Sequence, residues 1–302
     1  MNIIESIRQM VIDDLFSISS VTSNWGVWSG YMRDRMGDRP SVQSILDIGD
    51  YLSDVFKQTG NSGRGQGDLS AGGTGWESLV TWYVNICSMN SRVVAVKKTG
   101  TLPTPIRDSI TVNYANFGCS SESDITVVVF PDNPIFTEEN PELYKKSGKI
   151  DYDKLNRLVG EHFLDFEVGI IQCKTNWNDN SQIPMLWDMI YSAGGFRGRQ
   201  ITVGKNNFSI QSLPLFTYSF VTVPTNKISQ YKPDSTCVGR VKNLSGGNYW
   251  GLPTSNGIAK SLKEIFQNYQ SGYRHGNVRS TLSESISRLE TDYSYFKLFD
   301  LS

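Results

Sequence analysis

One strand with a polar end places the strongest constraint on how this chain can fold. Residues 166–171 form a largely apolar run with β-branched side chains, which is typical of a strand inside a sheet. Gln172, Cys173 and Lys174 follow directly. Because side chains alternate between the two faces of a strand, we expect Gln172 and Lys174 on one face and Cys173 on the other. A lysine ammonium is rarely buried without a partner, so Lys174 needs an acidic neighbour or water.

This strand end has two interpretations. In the first, an ordinary strand ends at the surface, Lys174 points into solvent, and the polar turn at residues 175–181 leads into a helix at residues 183–192. In the second, Gln172 and Lys174 belong to a functional site. The second interpretation requires a carboxylate from another segment that reaches the same strand end.

Composition argues against several other kinds of site. The chain has 302 residues, enough to bury a large core. Its two histidines are too few for a histidine-rich metal site, and they supply a Ser–His–Asp relay poorly. No apolar run is long enough to span a membrane, and the acids within the apolar pattern of residues 1–16 argue against a signal peptide. The scattered cysteines, without metal-ligand spacing, predict reduced thiols in a cytoplasmic protein; they are Cys87, Cys119, Cys173 and Cys237.

Positive charge is concentrated in one segment, although the net charge of the whole chain is −1. Residues 195–263 contain one acid, Asp234, and nine basic residues, which are Arg197, Arg199, Lys205, Lys227, Lys232, Arg240, Lys242, Lys260 and Lys263. Such a surface can bind a polyanion such as nucleic acid. A solvated basic face without a ligand is the other interpretation, and the sequence favours neither.

Hydrophobic periodicity predicts an α/β (α+β) fold in which helices flank a mixed central sheet. Apolar residues at helical spacing predict helices near residues 3–15, 42–56, 76–86, 152–163, 183–192, 258–270 and 279–290. Runs of β-branched and aromatic residues predict strands at residues 92–96, 123–130, 166–174, 201–203 and 216–223. The connections are predicted to be a tryptophan-rich turn after the first helix, a glycine-rich loop at residues 60–75, and a polar connection that ends at residue 120.

We expect these elements to form one compact domain with three segments. The first is an N-terminal helical segment at residues 1–60. The second is a core at residues 61–223, which contains an irregular insertion at residues 131–160. The third, at residues 224–302, combines basic loops with helices.

Two acids lie where they could reach the strand that carries Lys174. Asp124 opens the β-branched run at residues 123–130, and Glu77 lies on the helix that precedes the first strand. Thr74 and Glu77 also have the T-x-x-E spacing of a capping box. In that case Glu77 would bond only to the helix N-terminus, and both interpretations of Glu77 stay open.

This order of elements and residues resembles the core of the PD-(D/E)xK nuclease superfamily, and in particular that of type II restriction endonucleases. In that family an acid near the start of the second core strand is followed by D/E/Q-x-K on the third strand. An additional acid often comes from a helix before the first strand. The matching residues are Asp124, then Gln172-x-Lys174, with Glu77 as the helical acid. The resemblance covers residues 75–223 and implies a restriction-endonuclease-like core.

The chain departs from the family pattern at two points. Gln172 stands where most members have an acid, so one charged metal ligand is missing. The gap between Asp124 and Gln172 is also long because of the insertion. Alternatives to Asp124 as the first acid are therefore Asp151, Asp153 and Asp165, but the first two of these introduce a helix, whereas Asp124 opens a strand.

The resemblance implies a Mg²⁺ site, since Mg²⁺ prefers carboxylate and carbonyl oxygens. Asp124 would be its principal ligand. The amide oxygen of Gln172 and the backbone carbonyl of Cys173 would add neutral ligands, and Glu77 would restore the missing negative charge. Lys174 would position the nucleophilic water and neutralise the phosphate.

The function expected from this resemblance is Mg²⁺-dependent, sequence-specific cleavage of double-stranded DNA by a homodimer. The DNA contacts are expected from residues of the basic segment, namely Arg197, Arg199, Lys205, Arg240, Lys242, Asn243 and Asn248. One alternative is a nuclease of the same superfamily that acts in repair, recombination or phage defence without strict specificity. A second is a non-catalytic nucleic-acid-binding protein in which Gln172 marks a decayed site.

Overall fold

A computed structural model describes residues 1–37, 39–59, 69–114, 117–120, 123–175, 201–223, 234 and 261–299. Over these residues the protein has a mixed α+β fold with a mixed central sheet flanked by helices, as the hydrophobic periodicity predicted. The helices are α1 (Ile3–Phe16), α2 (Ser19–Met36), α3 (Val42–Lys57), α4 (Leu69–Cys87), α5 (Thr104–Ser109), α6 (Pro134–Thr137), α7 (Tyr152–Glu161) and α8 (Val278–Ser285). The strands are β1 (Val93–Val96), β2 (Val112–Tyr114), β3 (Phe117–Cys119), β4 (Ile125–Val129), β5 (Glu167–Lys174), β6 (Ile201–Val203) and β7 (Phe216–Thr222).

The central sheet has the strand order β1-β4-β5-β7. Strand β4 is antiparallel to both β1 and β5, and β7 is parallel to β5. Its two inner strands, β4 and β5, consist mainly of valine and isoleucine, because a strand covered on both faces must be apolar on both. Nearly every residue of β4 and β5 is accordingly buried.

Alternation along the strands divides the buried side chains into two cores, one on each face of the sheet. One core contains Ala95, Val127, Ile171 and Cys173, together with side chains from α2, α3, α4 and the C-terminal residues 262–298. The other contains Val94, Val128, Val168 and Ile170, together with side chains from α1, α5 and α7. The first core therefore draws on all three of the predicted segments.

A smaller antiparallel sheet has the strand order β3-β2-β6. After β6, Gly204 has a φ of 105°, and a Cβ there would lie 2.5 Å from the carbonyl oxygen of Phe208. Glycine is required at this turn because any side chain would meet backbone. The turn carries Lys205, whose side chain is exposed, and leads towards β7.

The N-terminal region departs from the sequence prediction. The predicted tryptophan-rich turn is wrong, because it is the helix α2. Its serine, threonine and glycine content gives weak intrinsic helix propensity. Burial overrides that propensity, since Val21, Trp25, Trp28 and Met32 recur at helical spacing on the buried face.

Helix α4 begins earlier than the capping-box spacing indicated. It starts at Leu69, so residues 69–75 of the predicted glycine-rich loop are helical, and residues 60–68 lie outside the described part of the chain. Thr74 is inside the helix, and its carbonyl oxygen accepts a hydrogen bond from Oγ of Ser78 at 2.7 Å. The capping box of Thr74 with Glu77 is therefore wrong.

The other boundaries agree with prediction to different degrees. Helices α1, α3 and α7 and strands β1, β4, β5, β6 and β7 lie where the sequence placed them. The polar connection before residue 120 contains α5, β2 and β3, which were not predicted. Residues 262–272, which overlap the helix predicted at residues 258–270, form a 3₁₀ helix. The helix predicted at residues 183–192 lies outside the described residues. Cys87 and Cys173 are free thiols.

Candidate active site

Polar residues from four segments meet at one end of the central sheet. The register pairs Val96 with Thr126, Ile125 with Ile171, and Lys174 with Thr222. The last residues of β1, β5 and β7 and the first residue of β4 therefore lie at the same end. The sequence places Lys97 just after β1 and Asp124 just before β4 at this end.

Asp124 is hydrogen-bonded to β5 through a single carboxylate oxygen. Its Oδ2 accepts from the side-chain Nε2 of Gln172 at 2.5 Å and from the backbone N–H of Cys173 at 2.7 Å. If the register of β4 and β5 continues by one residue, Asp124 stands opposite Gln172. The carboxylate thus replaces the backbone acceptor that Cys173 would find if β4 were longer. The structure thus brings together Asp124, Gln172 and Cys173, which the resemblance had assigned to one site.

The backbone of Cys173 faces Asp124. The N–H and C=O groups of one strand residue point to the same neighbouring strand, so the Cys173 carbonyl lies on the β4 side, as its N–H does. The carbonyl of Lys174 points the other way, because it accepts from the N–H of Val223 at 3.0 Å. The side chain of Cys173 is buried in the core on the α4 face, and burial raises the pKa of its thiol. The backbone of Cys173, and not its sulfur, is therefore available to the site.

Burial raises the pKa of Asp124 from its ordinary value of 3.8 to about 6. The hydrogen bond from the N–H of Cys173 lowers this pKa, the negative charge of Glu77 raises it, and the positive charges of Lys174 and Lys97 lower it. Glu77, Lys97 and Lys174 therefore all lie close enough to Asp124 to affect its charge. The raised pKa indicates a carboxylate whose negative charge the surrounding protein does not fully compensate.

Glu77 reaches this sheet end from α4, and it carries an ion pair. Its Oε2 lies 3.0 Å from Nζ of Lys97, and the two side chains are 23% and 14% exposed, respectively. Sequence reasoning missed Lys97. The position of Lys97 in the sequence could have indicated it, because Lys97 directly follows β1. It therefore lies at the end of the sheet that also carries Asp124 and Lys174.

The structure gives the alternative acids other roles. Asp151 is the N-cap of α7, where its side chain accepts from the N–H of Lys154 at 3.4 Å, and Asp153 is exposed in the first turn of the same helix. Asp165 lies before β5, at the opposite end of that strand from Lys174, and pairs with His162 at 3.5 Å. Only Asp124 of these four acids lies at the strand end with Lys174.

The basic segment is only partly described. Lys205 is exposed on the turn after β6. The other candidate DNA contacts lie outside the described residues; they are Arg197, Arg199, Arg240, Lys242, Asn243 and Asn248. Lys263 is not a free cation, since its Nζ lies 3.0 Å from Asp47 and 2.7 Å from Asp50. The last residue of the segment therefore contributes an internal ion pair and no free positive charge.

The oxygen donors at the sheet end are of the chemical type that a hard divalent cation binds. Asp124 and Glu77 supply carboxylates, and the Cys173 carbonyl adds a neutral oxygen on the same side as Asp124. Gln172 directs its amide nitrogen towards Asp124, so its oxygen becomes a ligand only if the amide rotates by 180°. Among the described residues, no group of three histidine, cysteine or acidic side chains forms a metal cluster. Any cation here would thus depend on two acids and neutral oxygens.

Comparisons with known proteins gave no relatives. No protein-family model matches the chain, and neither the curated proteins nor the solved structures contain a match. Among the helices of the described residues, none combines the length and the apolar character needed to cross a membrane.

Proposed function

We propose that the protein is a Mg²⁺-dependent endonuclease of the PD-(D/E)xK type that cleaves double-stranded DNA. The observation that carries this proposal is the bonding of Asp124 to both Gln172 and Cys173 at the sheet end that also holds Lys174. Support also comes from the element order, since α4, β1, β4 and β5 occur in the sequence that the resemblance implies, although α5, β2, β3, α6 and α7 lie between them.

Each group at the sheet end has a role in phosphodiester hydrolysis. When bound, Mg²⁺ would supply a Lewis acid that lowers the pKa of a ligated water and stabilises negative charge on the phosphate. Asp124, Glu77 and the carbonyl of Cys173 would hold the cation. The ammonium of Lys174 would orient the attacking water and stabilise charge that develops on the phosphate oxygens.

Gln172 would act mainly as a positioning residue in this site. Its amide donates to Oδ2 of Asp124, which fixes the carboxylate without adding charge. A type II restriction enzyme would in addition read a specific site, as a cytoplasmic homodimer whose exposed basic residues, such as Lys205, contact the DNA backbone. The dimer, the specificity and the location are expectations from the resemblance.

Cleavage of supercoiled plasmid DNA by the full chain tests the proposal. Cleavage is expected with Mg²⁺ and not with EDTA, and Asp124→Asn and Lys174→Met are expected to abolish it. Discrete fragments indicate site-specific cleavage, whereas a smear indicates a nuclease of the same type without strict specificity. Cleavage that persists in EDTA, or in both variants, rules out this site.

One observation favours a non-catalytic nucleic-acid-binding protein as a second candidate. The amide nitrogen of Gln172 and the N–H of Cys173 share an oxygen of Asp124, an arrangement that stabilises the strand end even without a cation. In this case the wild-type chain binds DNA but cleaves no plasmid at any Mg²⁺ concentration, and Asp124→Asn leaves the affinity unchanged.

A further inference from the structure

The ion pair between Glu77 and Lys97 lies within the charged group at the sheet end. Nζ of Lys97 and Oε2 of Glu77 are 3.0 Å apart, and the side chains are 14% and 23% exposed. The negative charge of Glu77 raises the pKa of Asp124, and the positive charge of Lys97 lowers it. Glu77 therefore has a cationic partner, whereas Asp124 is bonded only through Oδ2 within the described residues.

A purely structural role does not explain why the pair is placed here. Helix α4 is already joined to β1 by Asn85, whose side chain donates to the carbonyl of Ala95 at 2.8 Å and accepts from its N–H at 3.1 Å. Trp76, Val80 and Val84 of α4 are fully buried. The helix is thus held against the sheet by bonds and packing that do not involve Lys97.

We infer that Lys97 is a positioning residue that competes with a divalent cation for the carboxylate of Glu77. Without a cation, Lys97 neutralises Glu77 and so limits repulsion between Glu77 and Asp124. When a cation binds at Asp124, Glu77 exchanges its ammonium partner for the cation, and Lys97 becomes free to meet a phosphate oxygen of the substrate. This inference rests on the proposed function and adds to it a residue that controls metal affinity.

Metal titrations without DNA test the exchange. The full-length chain is titrated with Mn²⁺, and free Mn²⁺ is followed by electron paramagnetic resonance. Lys97→Met keeps the aliphatic stem but removes the charge, so the cation no longer displaces an ion pair. We expect Mn²⁺ to bind about fivefold more tightly to this variant, the size of change that one partly exposed ion pair can produce. Lys97→Arg retains an ion pair and is expected to bind Mn²⁺ as the wild type does.

A double-mutant cycle separates the exchange from a general effect of charge. In the Glu77→Gln background Lys97 has no carboxylate partner, so adding Lys97→Met is expected to change the Mn²⁺ affinity by less than about twofold. An equal gain in both backgrounds, or no gain in either, overturns the inference. Circular dichroism and thermal unfolding of each variant confirm that the titrated protein is folded.

The titration also separates failure of this inference from failure of the proposed function. If the wild type binds no Mn²⁺, and Mg²⁺ supports no plasmid cleavage, the metal site is wrong and the inference falls with it. If the wild type binds Mn²⁺ and cleaves DNA, but the two backgrounds respond equally to Lys97→Met, the nuclease proposal stands and only the exchange is rejected.

Discussion

The side-chain amide of Gln172 donates a hydrogen bond of 2.5 Å to Oδ2 of Asp124, joining the end of β5 to the start of β4. The backbone N–H of Cys173 shares the same oxygen at 2.7 Å. Within the described residues, both donors use Oδ2, which leaves Oδ1 for another partner. A neutral amide at this position therefore tolerates a charged Asp124 without any cation, which a second carboxylate would not.

Replacing Gln172 by glutamate should make stability depend on metal. Two carboxylates at hydrogen-bonding distance repel each other or must share a proton. We expect Gln172→Glu to lower the free energy of unfolding by about 2 kcal/mol in EDTA, and Mg²⁺ to recover most of this loss. Thermal unfolding with EDTA and with Mg²⁺ measures both effects. Gln172→Met is the neutral control, and its melting temperature should respond to Mg²⁺ no more than that of the wild type. An unchanged melting temperature for Gln172→Glu in EDTA contradicts the prediction.

The pKa of Asp124 predicts how stability varies with pH. The folded-state pKa of about 6 exceeds the ordinary value of 3.8, so the folded protein binds this proton more tightly than the unfolded chain. The contribution of Asp124 to stability is therefore fully present below pH 3.8 and is lost as the pH rises to about 6. The loss is on the order of 3 kcal/mol at most.

Asp124→Asn removes this loss of stability at high pH, because the amide stays neutral at every pH. Relative to the wild type, we expect the variant to be more stable at pH 8 and to lose that advantage below pH 4. Denaturant unfolding of both proteins across this range measures the difference. A constant difference between the two proteins at all pH values would show that Asp124 titrates normally.

Lys174 should contribute to catalysis and little to binding. Its ammonium is placed to stabilise charge that develops during the reaction, so Lys174→Met should slow single-turnover cleavage at least about a hundredfold. Affinity for DNA should change by less than about threefold, since transition-state interactions add little to ground-state binding. Lys205→Met is the contrasting control, because it removes an exposed lysine that is a candidate DNA contact, so it should lower DNA affinity but leave the cleavage step intact. A Lys174→Met enzyme that cleaves at the wild-type rate would exclude the Q-x-K assignment.

Of the features that form the site, the positions of its strands were predicted best from the sequence. β-branched runs located β4 and β5, and a lysine at the end of a buried strand indicated that Lys174 needed an acidic neighbour or water. Asp124 met that requirement because it opens a strand, and the structure bonds it to Gln172 and Cys173. The strand positions follow from short-range periodicity, which the sequence records directly, whereas the pairing of Asp124 with Gln172 came from the resemblance.

The rest of the structure could not be predicted from the sequence, because it depends on tertiary contacts. Helix α2 has poor intrinsic propensity and forms because Trp25, Trp28 and their neighbours are buried against other elements. The ion pair of Glu77 with Lys97 joins α4 to the end of β1, and no local pattern indicates which cation an acid will meet. The local T-x-x-E spacing even indicated a helix start at Thr74, whereas α4 begins at Leu69.

The candidate DNA contacts of the basic segment can be tested by the salt dependence of binding. Neutralising Arg197 together with Arg199 should lower DNA affinity and flatten the dependence of log K on log salt, by about one unit for each DNA phosphate that the variant no longer neutralises. Lys263→Gln is the control, since Lys263 is already paired with Asp47 and Asp50 and should leave the slope unchanged. Binding isotherms over a range of salt concentrations give the slopes. Equal slopes for the arginine variant and the wild type would place the DNA surface elsewhere.

The roles of Glu77 and Thr74 can be distinguished by measuring the free energy of unfolding and the cleavage rate on the same samples. Since α4 begins at Leu69, Thr74 is an interior helical residue, and Thr74→Ala should change the free energy of unfolding by less than about 0.5 kcal/mol, in the direction of stability if at all. A true N-cap threonine would instead cost about 1 kcal/mol on replacement by alanine. Glu77→Gln removes one partner of a partly exposed ion pair, so it should cost no more than about 1 kcal/mol of stability.

The cleavage rate then decides what Glu77 does. If Glu77 holds the cation with Asp124, Glu77→Gln leaves one anionic ligand, and single-turnover cleavage at limiting Mg²⁺ should fall by at least about tenfold while Thr74→Ala cleaves as the wild type does. Raising the Mg²⁺ concentration should restore part of the rate, because the defect lies in metal affinity. If Glu77→Gln lowers the melting temperature but leaves the rate unchanged at every Mg²⁺ concentration, its carboxylate serves only to pair with Lys97, and the cation must be held by Asp124 with neutral oxygens alone.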